Sequence, residues 1–199
     1  MPIEPSESGT NRPASPLTSL SLAEYRELRA TIRERGSLRH LTIVITFSVW
    51  AVTMLWAAST FSVPIFFAFP LVVLVAGFEV AFALHVGVER IGRFIQVRYE
   101  GETGMSISWE RTAMALRVPG GGVDPLFLNV FLAAAILNLL AGVWTSPVAS
   151  AASDAAFERA ELASLVGVHA AAVIRWISAA RYARSQRVRE LAAFEELLR

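Results

Sequence analysis

The sequence has no cysteine and no lysine; all 18 basic residues are arginine. Without Cys there is no thiolate nucleophile, iron–sulfur ligation, disulfide or acylated cysteine anchor. Without Lys there is no Schiff base to a carbonyl substrate, no pyridoxal anchor and no phosphate-loop lysine. Gly120-Gly121-Gly122 therefore reads as a flexible joint rather than a nucleotide cradle. The sequence also lacks a nucleophile elbow, a zinc helix motif, a Glu-x-x-His pair and a dinucleotide fingerprint. Neither a catalytic residue nor a metal or cofactor site is expected from motifs, so the chain reads as non-enzymatic. Net charge is also slight, +1 over 199 residues, which offers no bulk field to nucleic acid. Complete replacement of Lys by Arg beside abundant Ala points to the codon bias of a GC-rich bacterial genome.

What the chain has in excess is apolar surface. Hydrophobic residues make up 54% of it and mean hydropathy is +0.49, more than the core of a soluble domain this size needs. Residues 1–19 are the exception, with four Pro and six Ser or Thr and no apolar period, and read as a disordered tail. The first long apolar run begins only near residue 41, so it is expected to stay in the membrane as a signal anchor rather than be removed.

Ser21-Leu22-Ala23-Glu24 fits a capping box, with Leu20 and Tyr25 at the staple positions. A short amphipathic helix over 20–38 is expected, its apolar stripe formed by Leu22, Tyr25, Leu28 and Ile32, and Gly36-Ser37 should break it. Residues 39–182 then read as a four-helix transmembrane domain with spans at about 40–60, 65–92, 125–145 and 161–180. In the second apolar run, Pro64 and Pro70 allow a turn or kinked section before the main crossing from Leu71. A loop over 93–124 holds Trp109, and Asp124-Pro125 marks the third helix start. Residues 146–160 read as a small, polar connection, and 183–199 as a terminal helix whose stripe is Val188, Leu191, Phe194 and Leu198.

Arginine placement predicts orientation. Five Arg fall in 26–39, five in 90–117 and five in 181–199, all on one side, with Arg159 alone in the other connections. By the positive-inside rule the crowded side is cytoplasmic. The expected fold is thus an all-α integral membrane protein of the bacterial cytoplasmic (inner) membrane, four spans, N-in and C-in, with short amphipathic cytoplasmic helices. The span endings Arg93 to Tyr99 and Arg175 to Tyr182 resemble each other, by duplication of a hairpin or by chance.

A charge on a spanning helix costs roughly 2.5 to 3.5 kcal/mol, so Glu79, His85, Glu89, His169 and Arg175 are the informative residues. Glu79 is expected to face the bundle, paired with Arg175 or bonded to His169. His169 reads as a neutral imidazole bonded to a neighbouring helix, or as a proton acceptor or haem ligand. Arg175 is near enough to one face to snorkel. His85 and Glu89, four apart, have the spacing to hold a metal, but Glu89 to Arg93 is also an ordinary helical ion pair, the favoured reading. Asn129, Asn138, Ser48 and Thr53 are candidates for hydrogen bonds between helices.

Three functions remain open. The leading one is a scaffold or regulatory protein whose cytoplasmic helices meet a protein partner or another copy in a homo-oligomer. A small transporter or channel using Glu79 and His169 follows, then a haem-bearing redox protein.

Overall fold

The computed structural model describes residues 16–99, 125–145 and 152–197, and these are helical almost throughout. The helices are α1 (Pro16–Thr60), α2 (Ala68–Arg98), α3 (Pro125–Trp144) and α4 (Ala152–Leu197), with a 3₁₀ turn at Pro64–Phe67 before α2. All four are long and apolar enough to cross a membrane, the architecture of a multi-pass membrane protein. Val44, Val52, Leu55, Val72, Ile136, Leu140 and Ile174 are exposed on the bundle's outside. In water such a surface drives aggregation; in lipid it is solvated.

Local sequence explains the boundaries. Pro64 opens the 3₁₀ turn and Pro70 lies in the first turn of α2, where a missing N–H breaks no helical bond. This turn takes up the excess length of the second apolar run. Two expectations for α1 fail. The helix starts at Pro16 rather than Ser21, and it runs unbroken through Gly36-Ser37. An interior Gly costs only about 1 kcal/mol relative to Ala, less than packing one face of α1 along α2 returns. The polar connection expected over 146–160 is also shorter, because α4 begins at Ala152 in an Ala-rich stretch of high helix propensity. The tail at 1–15 and the loop from 100 to Asp124, including Trp109 and the triple glycine, lie outside the described residues.

Helix length determines the shape of the bundle. α3 has 20 residues, about 30 Å at 1.5 Å per residue, which matches a hydrocarbon core. α1, α2 and α4 have 45, 31 and 46 residues and overrun it. At one end the overhangs pack together: Tyr25 of α1 meets Tyr99 after α2 at 5.5 Å, and Phe94 of α2 meets Phe194 of α4 at 5.7 Å. The expected short amphipathic helices are thus continuations of the spanning helices, joined in a three-helix extension. Twelve of the arginines from Arg26 to Arg189 lie on these stretches, and we call this the arginine-rich end.

The core is aromatic. Phe78 of α2 is fully enclosed by Phe127 at 5.2 Å, Trp176 at 5.3 Å and Phe131 at 5.4 Å, so one ring ties α2, α3 and α4 together. α1 joins through Phe47, 5.1 Å from Phe131, and through a backbone approach at Gly77, which faces the buried Thr46.

Candidate functional site

The polar side chains inside the bundle are arranged in three tiers along its axis. The first, away from the arginine-rich end, centres on Asn138. Its Nδ2 donates to the Phe67 carbonyl at 2.7 Å and to His169 Nε2 at 3.0 Å, and its Oδ1 accepts from Trp50 Nε1 at 3.3 Å. His169 in turn donates from Nδ1 to the Leu165 carbonyl at 2.8 Å. A carbonyl can only accept, so the proton of the neutral ring sits on Nδ1 and Nε2 is the acceptor. Both nitrogens of His169 are engaged. It is the neutral, interhelically bonded histidine of the structural reading, and a metal or haem iron would have to displace Asn138. One amide side chain therefore links α1, the 3₁₀ turn, α3 and α4. The other hydroxyl and amide candidates do not share this role: Ser48 and Asn129 are exposed, and Thr53 donates to carbonyls of its own helix.

Replacing Asn138 with Leu removes the hub and leaves a buried carbonyl, an indole N–H and an imidazole nitrogen short of a bond. We expect a loss of about 1–3 kcal/mol, read as a lowered thermal midpoint in detergent, whereas Asn129→Leu on the exposed face should change little.

The second tier is the pair Glu79–Arg175. Arg175 Nη2 donates to Glu79 Oε2 at 2.7 Å, joining α2 to α4. Of the two expected partners, Arg175 is the one engaged. The expectation that Glu79 faces the bundle is corrected, since its side chain is 37% exposed and that of Arg175 50%. The pair lies on the flank, where the Arg stem spans the depth difference and mutual neutralisation lowers the cost of two charges near lipid. Glu79 Oε1 is nonetheless enclosed without a hydrogen-bond partner.

The third tier is at the arginine-rich end. His85, buried on α2, has Nδ1 3.4 Å from Nη1 of Arg39 on α1, whose guanidinium lies 5.0 Å from the Phe127 ring centre. Glu89 lies 3.7 Å from Arg93, the helical ion pair favoured from spacing. Arg93 does more than this. Its side chain is 3% exposed and its Nε and Nη2 both donate to Glu190 Oε2 of α4, at 3.0 and 2.7 Å. Arg90 Nε donates to Glu190 Oε1 at 2.9 Å, and Gln186 donates to the same oxygen. Burial pushes the Glu190 carboxyl up, but the bonds from Arg90 and Arg93, the Arg93 charge and the Gln186 bond outweigh it and hold it below its ordinary value.

Neither Glu190 nor Gln186 stood out in the sequence as a bundle contact. The available signal was weak: a carboxylate among the tail arginines, spaced four from a Gln.

The tiers differ in what they can do chemically. Among the described residues no three His, Asp or Glu side chains converge as a metal site. The cavity between His85, Glu89, Arg93 and Gln186 has a volume of about 10 Å³, room for one water at most. Hydrogen bonding in each tier joins one helix to another, and Glu79 and His169 are bonded to different partners. No protein-family model, curated protein or solved structure matches the chain.

Proposed function

We propose that the chain is a non-enzymatic scaffold or regulatory protein of a bacterial cytoplasmic membrane, N-in and C-in, acting through the three-helix extension. The observation that supports this reading most is that α1, α2 and α4 continue together past the length of a bilayer crossing and are joined there, α2 to α4 by Arg90, Arg93 and Glu190 and α1 to the end of α2 by Tyr25 against Tyr99. A bundle that only had to fill the membrane could end with α3. The extension also presents apolar side chains outward, with Leu22, Val188 and Leu197 at least half exposed. Such a surface on a rigid, charged support fits a protein partner or a second copy. Phe194 is occupied by Phe94 of the same chain and Leu191 is partly buried, so of the tail stripe Val188 is the residue offered to a partner, while Leu198 lies outside the described residues.

A photo-crosslinking side chain at Val188 tests this in native membranes. A discrete product is expected, at twice the chain mass for a second copy and at another defined mass for a different protein. Labelling of lipid alone, with no protein product, contradicts the reading.

The transporter reading keeps one specific support, the charged pair Glu79–Arg175 on the span flank. It requires proton or ion flux in liposomes that Glu79→Gln abolishes with folding intact. On the scaffold reading, flux through the parent and Glu79→Gln proteins equals that of empty vesicles.

A further inference from the structure

α1 and α3 barely touch, and between them, toward the arginine-rich end, lies an open groove with a volume of about 210 Å³. Its walls are apolar, formed by Ile43 and Phe47 on α1 and Val130 and Phe131 on α3, while Arg39 and His40 stand at one end. The groove is continuous with surface that belongs in lipid. Val44, beside Ile43 and one turn from His40, and Leu137, two turns on from Val130, are 63% and 57% exposed. At about 30 Å³ for a group the size of a water, a volume of about 210 Å³ is room for roughly seven such groups. That is the volume of part of an acyl chain. A ligand lying there has its tail along Phe47 and Phe131 and its head beside the fixed positive charge of Arg39. Arg39 is only partly buried, and the first turn of α3 at Leu126 adds the positive end of the helix dipole on the opposite wall.

We propose that this groove binds one anionic phospholipid of the leaflet at the arginine-rich end, its phosphate on Arg39 and one acyl chain between α1 and α3. Zwitterionic lipid shares the tail but carries a compensating cation, so charge complementarity selects the anionic headgroup.

Native mass spectrometry of the full chain from detergent, supplied with equal phosphatidylglycerol and phosphatidylcholine of identical chains, measures the selection. The parent is expected to retain one lipid with a preference of about tenfold for phosphatidylglycerol. Arg39→Gln should bring that preference to near one. Val130→Trp fills the groove from its partly exposed wall without touching Arg39, and should abolish retention of either lipid. Equal retention of the two lipids by the parent overturns the proposal, as does unchanged phosphatidylglycerol retention in Val130→Trp. The competing occupant is the chain's own segment 100–124. A disulfide that forms readily between Val130→Cys and Val118→Cys, together with no retained lipid, assigns the groove to that segment and also overturns the proposal. If Arg39→Gln fails to fold, the parent lipid ratio and the Val130→Trp result still decide.

Discussion

Replacing Glu190 with Ala is expected to destabilise the protein by about 3 kcal/mol, because it strands the guanidinium of Arg93, 3% exposed, without its closest carboxylate. Removing one partner of a buried pair typically costs about 3–5 kcal/mol. The lower end applies because Glu89 stays 3.7 Å from Arg93 and Arg90 is more than half exposed and can return to water. The loss should appear first as release of the α4 tail, read as faster amide exchange over residues 184–197. A companion variant separates the lost ion pair from a lost contact. Arg93→Met with Glu190→Leu removes both charges and should recover most of the stability, since apolar replacements of buried pairs are often neutral or better.

The same carboxylate gives a pH dependence of defined sign. Its folded-state value lies below the ordinary 4.5, so its contribution is fully present above that pH and is lost as pH falls through the folded value. Stability of the parent and of Glu190→Gln should therefore differ above pH 4.5 and converge below it. A constant difference down to full acid unfolding contradicts a charge-based link.

Gly77→Ala should be nearly as damaging, although it adds one methyl group. A Cβ there would lie 2.1 Å from Thr46 Oγ1, 2.2 Å from its Cγ2 and 2.6 Å from its Cβ. Rotating Thr46 moves the first two atoms, but the third moves only with α1 itself. Overpacking typically costs about 1–3 kcal/mol, and the upper end is expected where backbone must shift. Rescue follows from the same distances. Thr46→Ala keeps the offending Cβ and should restore little, whereas Thr46→Gly clears the space and should restore all but about 1 kcal/mol for a second helical Gly. Equal rescue by both places the clash in the Thr46 hydroxyl and methyl rather than in the α1–α2 approach. Thermal midpoints of the four proteins in one detergent distinguish these cases.

The apolar runs made four helices legible in the sequence, since about twenty predominantly apolar residues have few fates in water. Pro64 and Pro70 likewise located the turn before α2. Gly36-Ser37 misled because its local cost is small beside the packing of α1 on α2, a tertiary term that composition does not carry. Glu89–Arg93 was readable from spacing along one helix. The stronger link, Arg93 to Glu190, joins residues 97 apart and depends on how α2 and α4 are set in register. The two similar span endings place their arginines differently: Arg93 is buried against α4, whereas Arg175 is half exposed on the flank. Asn138 and Asn129 look alike in sequence, and only the rotation of α3 makes one a four-way hub and leaves the other outside.

The central claim is that four helices cross one membrane and that the arginine-rich extension lies on its cytoplasmic side. A chain with no cysteine allows single introduced thiols to report this directly. Ser62 lies exposed beyond the last turn of α1, at the end opposite Ser185, which is exposed on the α4 extension. In intact bacterial cells, an impermeant thiol reagent should label Ser62→Cys at once and Ser185→Cys only after permeabilisation. Labelling of Ser185→Cys but not Ser62→Cys would reverse the orientation, and immediate labelling of both would contradict an odd number of crossings between them.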